Sequence, residues 1–497
     1  MSNSTQSPTR TSTTAVNWAL VLVSSIVPAL AACEQPQDSV GEAGQEITSG
    51  QMTQVYSNGS GSHQTISTTG NTDPNNPFFL SLGTNGRSCG SCHQPSDGWT
   101  VTPAHLQERF DASGGTDPVF RTVDGSNAPE LDVSTVDARR SAYSMLLSKG
   151  LIRVGIGMPS GPGVEFELIA VDDPYGHASA QDLSLFRRPL PATNLKFLST
   201  VMWDGRETFK DAASHDCVIG TTNCFATIPF DLADQSNAAT MGHAQGAIPL
   251  SDAQRQAIVA FESSLYTAQV FDVNAGELNA SRAFGGPDYL SAQDSYFGVN
   301  DAIAGDYRTG AKFNSTVFHT YDAWYHSPAS DNANANSRVA ARDAVVRGQA
   351  IFNTRLINIT DVKGLNDDLK LKVIPGTCTT CHDTPNAGNH SVPAPLDIGI
   401  ADASRRTPDL PLYTLRNLQT GETIQITDPG KALLSGKWKD IGRFKGPILR
   451  GLAARAPYFH NGFAADLGAA VDFYNTRFTL NLSDQEKSDL IAFLQTL

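Results

Sequence analysis

Two pentapeptides in this chain can do chemistry: Cys89-Gly-Ser-Cys92-His93 and Cys378-Thr-Thr-Cys381-His382. In each, two thiols stand one helical turn apart and an imidazole follows at once. Thiols so placed form thioethers to a porphyrin, and the imidazole binds its iron, which is how a c-type haem is attached. A lone Cys-x-x-Cys also suits a thiol redox pair or half of a zinc site. Two copies, each followed directly by histidine, point instead to two covalent c-type haems with His93 and His382 as iron ligands. The usual donor on the far face of such an iron is a methionine further along the chain. All six methionines here (1, 52, 145, 158, 202 and 241) precede the second motif. That iron must therefore take an oxygen or nitrogen donor, or stay open.

The elements that position these groups repeat. Residues 250–265, LSDAQRQAIVAFESSL, align without a gap to 482–497, LSDQEKSDLIAFLQTL. Both begin with a capping box, Ser251 with Gln254 and Ser483 with Glu486. Both then set apolar residues at helical spacing: Ile258, Phe261 and Leu265 in one, Leu490, Phe493 and Leu497 in the other. Each copy follows its own Cys-x-x-Cys-His. The expected fold class is thus mainly α, with two tandem cytochrome c-like domains, each around one covalent haem, and loop-rich insertions. Cys89 precedes Leu250 by 161 residues but Cys378 precedes Leu482 by only 104, so the first copy carries 57 extra residues. Part of that excess falls in 111–175, rich in Gly, Pro and Asp. The predicted division is a signal peptide with a lipobox-like end at 1–33, a flexible linker at 34–75 and an N-terminal haem domain at 76–270. An inter-domain insertion at 271–340 and a C-terminal haem domain at 341–497 complete it. Strand signals are weak throughout.

At 497 residues, 40% hydrophobic and 17% charged, the composition is that of a soluble globular protein. The formal charge of −14 builds no basic surface to neutralise phosphates and so argues against a nucleic-acid partner; a basic electron-transfer partner would be attracted to it. Residues 15–32, AVNWALVLVSSIVPALAA, are too short and too broken by Pro28 for a lasting membrane span and read as an export signal. Leu30-Ala-Ala-Cys33 resembles a bacterial lipoprotein cleavage box, which predicts a lipid anchor on Cys33 and a body in the periplasm; an ordinary signal with Ala-x-Ala cleavage is the alternative. Cys217 and Cys224 remain, as a disulfide or a reactive pair.

Three further stretches carry a family resemblance. Met202-Trp203-Asp204-Gly205-Arg206, Phe444-Lys-Gly-Pro-Ile-Leu-Arg450 and Ala456-Pro-Tyr-Phe-His-Asn-Gly462 are similar to hallmark segments of the bacterial di-haem cytochrome c peroxidases. That family also holds MauG and, more distantly, rubber-cleaving oxygenases. The resemblance covers roughly 76–100, 187–265 and 341–497. It implies reduction of hydrogen peroxide, or activation of peroxide or oxygen, at the His93 haem, with electrons relayed from the His382 haem. It also implies a donor protein such as a small cytochrome c or a cupredoxin. Trp203 matches the family's inter-haem relay; the plainer reading is a core tryptophan. Asp231-Leu-Ala-Asp-Gln235 resembles the stretch with a distal glutamine, after which the family places a catalytic glutamate ten residues on. Here that position is Gln245, and no acid occurs between Gln235 and Asp252. His243 is the titratable group in range, as an acid–base group or as a capping or surface histidine. Carbonyls at Arg455 and Pro457, with Asn194, match a calcium site between the domains. The peroxidase ligand methionine sits in an Ala-Val-x-x-Met context, which reads Ala470-Val-Asp-Phe-Tyr474 here, as in the MauG branch with its tyrosine ligand. Tyr474 is therefore the expected second iron ligand, with His390 and His460 as alternatives. Two rival functions stand beside the peroxidase: a di-haem electron carrier without substrate chemistry, and an oxidase acting on an organic or protein substrate.

Overall fold

The computed structural model describes residues 54–70, 73–208, 228–325 and 333–497. The leader with Cys33 and the Cys217–Cys224 pair lie outside the described residues. Among the described residues no helix is long and apolar enough to cross a membrane.

Each Cys-x-x-Cys-His begins as one 3-10 turn, Cys89–Ser91 and Cys378–Thr380. The turns are tied alike: the Ser88 amide donates to the Ser91 hydroxyl at 3.0 Å and the Thr377 amide to the Thr380 hydroxyl at 2.9 Å. A hydroxyl at the third position satisfies an amide that the turn would otherwise orphan. The two closing helices form as the repeat predicts, over Asp252–Ser263 and Asp484–Gln495, each with its capping box. Their apolar faces pack on the turns. Ile258 and Phe261 join Phe78, Trp99 and Cys89 in one core, whereas Leu490, Phe493 and Leu494 join Phe318, Phe352, Cys378 and Cys381 in another. Against the second closing helix lies the long helix Ala333–Thr354. A Cβ at Gly348 would fall 2.0 Å from the Asp489 carbonyl oxygen, so only glycine permits this approach.

The mainly α expectation needs correction, because among the described residues eleven strands in four sheets stand beside these helices. The segment 34–75, expected to be a tether, contains strands Val55–Asn58 and Gly61–Ser67. The second pairs antiparallel with Leu265–Asp272, which follows the first closing helix. Its inward residues are polar, which hid it. His63 and Thr65 are fully buried; His63 Nε2 bonds the Pro95 carbonyl at 2.9 Å, and Thr65 Oγ1 accepts from Trp99 Nε1 at 2.9 Å. Nor is 111–175 loop alone. Its strand Phe166–Asp172 pairs with Leu412–Asn417 from the second half of the chain, and Ile152–Ile156 pairs with Leu183–Arg187. The insertion 271–340 supplies Phe318, Tyr321 and Trp324 to the core of the second motif, and its helix begins at Ala333 rather than 341. These aromatics follow neither a helical nor a strand period, so burial is the force that places them.

Candidate haem cavities and the residues between them

Two cavities of similar size, about 190 and 220 Å³, open beside the two motifs. Cys89, Cys92 and His93 line the first; Cys378, Cys381 and His382 line the second. The four cysteines form no disulfide with one another, and burial pushes the Cys89, Cys378 and Cys381 thiols up to about 12. His93 Nδ1 donates to the Trp99 carbonyl at 2.9 Å and His382 Nδ1 to the Gly388 carbonyl at 2.6 Å, each six residues on. Those bonds fix the tautomer and leave Nε2 as the ligand atom. Burial lowers the pKa of both imidazoles, which keeps them neutral, as iron ligation requires. Thiols, imidazoles and apolar walls fit a c-type haem at each place.

The first cavity has a polar wall. His243 Nδ1 lies 2.5 Å from Asp124 Oδ2, and Asp124 pairs in turn with Arg87. Arg87 and His243 hold the Asp124 carboxyl below its ordinary range against the opposing effect of burial. The histidine's Nε2 is thereby the atom left for the cavity. Gln235 lines the same cavity from the helix Ile228–Gly242. So does Glu262, whose Oε1 is buried with no hydrogen-bond partner and whose pKa burial raises to about 8. Gln245, at the position of the family glutamate, does not line it.

The second cavity is apolar almost throughout. Tyr474 reaches it from the helix Leu467–Arg477, in company with Ala470 and Val471. Its half-buried ring stacks on Phe478, and its hydroxyl has no hydrogen bond to the described protein, whereas Tyr321, Tyr413 and Tyr458 all bond a backbone carbonyl. Burial raises the phenol pKa; a metal cation is the kind of partner that reverses such a shift. The two alternative donors also line this cavity. His390 Nδ1 is 3.0 Å from Asp383 Oδ2, and His460 stacks on Phe444 with ring centres 4.0 Å apart. The buried group Asp301, Asp383 and His390 has donor atoms close enough for a metal ion, but the Asp383–His390 bond and the amides donating to both carboxylates account for it without one.

Among the described residues, Trp203 and Lys445 line both cavities. Trp203 donates Nε1–H to the Arg188 carbonyl at 2.8 Å, packs edge-on to His460, and accepts from the Lys445 amide at 2.9 Å. Behind it, Asp204 and Asp428 bracket the buried Arg187.

Of the three residues expected to hold calcium, Asn194 and Arg455 have their oxygens hydrogen-bonded within the chain. The Asn194 amide is used twice by the Thr267 backbone, and the Arg455 carbonyl accepts from the Arg188 guanidinium at 3.2 Å. Arg188 also donates to the carbonyls of Lys149 and Val101. A resident cation already occupies this corner, so a metal ion would meet charge repulsion and spent oxygens.

Asp124, Arg87 and Glu262 escape a reading by motif, whereas Lys445 lies in the family-like segment 444–450 but has no role assigned to it there. Asp124 and Arg87 meet only in the fold. Glu262 had a signal, since its aligned partner in the repeat is Leu494 and both residues line their cavities.

With that geometry in hand, comparison with known proteins gives consistent relatives. The chain is 29% identical over 237 residues to a cytochrome-c peroxidase, IdrP1, of Pseudomonas sp. strain SCT, a match covering 42% of this chain and 54% of the relative. It is 33% identical over 132 residues to a cytochrome-c peroxidase, IdrP2, of Denitromonas iodatirespirans, covering 24% and 36%. The chain thus spans about half the length, or less, of the curated relatives it matches. No family model matches it. A solved MauG-like protein associated with microbial copper homeostasis aligns over 85% of this chain and 87% of its own, at 15% identity and a TM-score of 0.33, a likeness too loose to carry weight. Over up to 42% of its length, then, the chain is similar to proteins named cytochrome-c peroxidase.

Proposed function

We propose that this protein is a di-haem oxidoreductase that reduces hydrogen peroxide, or activates peroxide or oxygen, at the His93 cavity with electrons from the His382 cavity. One observation carries the reading: Gln235, Glu262 and an Asp124–His243 pair together line the first cavity, whereas the second, which has its own Asp383–His390 pair, is otherwise largely apolar. Each motif, its cavity and its closing helix then form one cytochrome c-like haem unit. A bound haem supplies an iron that exchanges single electrons. The chain supplies the proton handling. Asp124 holds the His243 Nδ1–H, so Nε2 can take a proton from one peroxide oxygen and return it to the other, help worth about 10²–10⁴ in rate. Gln235 offers an amide to orient the substrate. Two electrons and two protons then turn one peroxide into two waters.

Trp203, on the wall of both cavities, is the relay, and Tyr474 is the second iron's ligand. A phenolate oxygen favours ferric iron, which lowers that haem's potential and favours a MauG-like oxidase as the second reading. The acidic chain suits a basic donor protein, a small cytochrome c or a cupredoxin, and the leader suits a periplasmic enzyme held by a lipid. The test is the resting ferric spectrum followed by turnover, first with peroxide and a reduced donor, then with oxygen alone. One high-spin and one low-spin haem with peroxide turnover is the expected result. Two low-spin haems without turnover would leave an electron carrier; turnover with oxygen and an organic substrate alone would leave the oxidase.

A further inference from the structure

Lys445 is the one lysine or arginine on the wall of the second cavity among the described residues, and it is on the wall of the first as well. It is buried, and its three N–H donors have a single acceptor, the Thr200 carbonyl at 3.0 Å. No carboxylate of the described residues pairs with it. The charged groups around it are engaged with one another. On the first cavity's side Arg187 is bracketed by Asp204 and Asp428, and Arg206 leans on Asp204. Arg188 is spent on backbone carbonyls, and Asp124 pairs with Arg87 and His243, while Glu262 lies within the field of Cys89. On the second side His390 belongs to Asp383, and His460 is kept neutral by burial. An ammonium stripped of water without an anion is costly, and burial alone draws this one down to about 7.

Among the described residues no anion answers it. A haem carries two carboxylates, and the second cavity offers them no other fixed cation. We propose that Lys445 is a shared charge site for the two haems, taking a cofactor carboxylate where the cavities meet and stabilising each haem's reduced state through its ammonium. The inference rests on the reading of both cavities as haem sites. When an electron enters either haem, a proton from solvent bound at Lys445 Nζ balances it. Because the Lys445 amide is bonded to the Trp203 carbonyl, this charge and the relay ring are held in one register. Lys445 acts through the cofactors' charge and is a positioning residue.

The experiment is a spectroelectrochemical titration of the holoprotein from pH 6 to pH 9, after the haems have been counted. Lys445→Met should lower the reduction equilibrium constant of both haems about tenfold at pH 6, or about 59 mV for a one-electron couple. The gap to wild type should close as pH rises and Lys445 loses its proton. Lys445→Arg keeps its charge, so its potentials should stay high across the range and diverge from wild type at pH 9 instead. A purely space-filling lysine would leave the potentials of Lys445→Met at wild-type values. Unchanged potentials with two haems loaded, or a shift at one haem only, overturn the shared site alone. A count below two haems in the wild type overturns the reading of the cavities and this inference with it. If Lys445→Met does not load haem, the Lys445→Arg curve decides: one that tracks wild type at every pH overturns the proposal.

Discussion

The two cavities begin from the same parts and are finished differently. Each has a 3-10 turn with two thiols, a histidine steered by a carbonyl six residues on, and a closing helix with a capping box. At the aligned helix position the first has Glu262 and the second Leu494. The first adds Gln235, Arg87 and His243, the last bonded to Asp124; the second adds the Tyr474 hydroxyl, His460, His390 bonded to Asp383, and the seam residue Lys445 to a wall otherwise aliphatic and aromatic. Each cavity thus has an Asp–His pair, and the repeated frame is finished with more polar groups at the first than at the second.

The bluntest way to break the comparison is to remove one half. Cys92→Ser and Cys381→Ser should each reduce the haem count from two to one per chain, read from the haem absorbance per protein; a wild-type count of one sinks the parallel. Next in size is the proton device. His243→Ala should cut peroxide turnover by about 10²–10⁴ while the ferric spectrum stays close to wild type. An unaltered rate returns His243 to a structural role. Tyr474→Phe sharpens the contrast from the other side: it should open a coordination position, seen as new high-spin absorbance and cyanide binding at a second iron, and Tyr474→Met should raise that haem's potential. If both keep the parent spectrum, the ligand is His390 or His460.

Smaller effects concern stability. Glu262 has a folded pKa raised to about 8 against an ordinary value near ~4.3. Its contribution to stability is therefore complete below the ordinary value and lost as pH rises through about 8. Glu262→Gln should melt with wild type at pH 4.5 and above it at pH 8.5, by a few kcal/mol at most, checked by thermal scans at the two pH values. Identical pH profiles would mean that the carboxyl finds a partner. Least of all, chelation with EDTA should leave both haem spectra and the melting temperature unchanged, since Arg188 already satisfies the Arg455 carbonyl.

Much of this frame can be read from the sequence because covalent attachment and helix capping are written in short, contiguous strings. The paired thiols, His93, His382 and the two closing helices need no tertiary information. Tyr474 and Trp203 are legible through their neighbours in family-like segments, and the structure brings both to cavity walls. What stays hidden depends on long-range pairing. Asp124 meets His243 across 119 residues. The strand Gly61–Ser67 turns histidine and threonine inward, a pattern that hydropathy cannot separate from a tether. Asn194 failed as a metal ligand for a related reason: its amide is consumed by a backbone segment 73 residues away.

That same early strand has a consequence for assembly in time. Thr65 and Thr267 share a hydrogen bond across 202 residues, so the segment near residue 60 cannot find its neighbour until the chain beyond 272 has been made. During synthesis it is an exposed sheet edge, ready to accept any extended stranger. Its short length and its polar, hydrogen-bonding face make it a poor template for sticking. The polarity that disguises the strand from a sequence reader also protects the unfinished chain from aggregation.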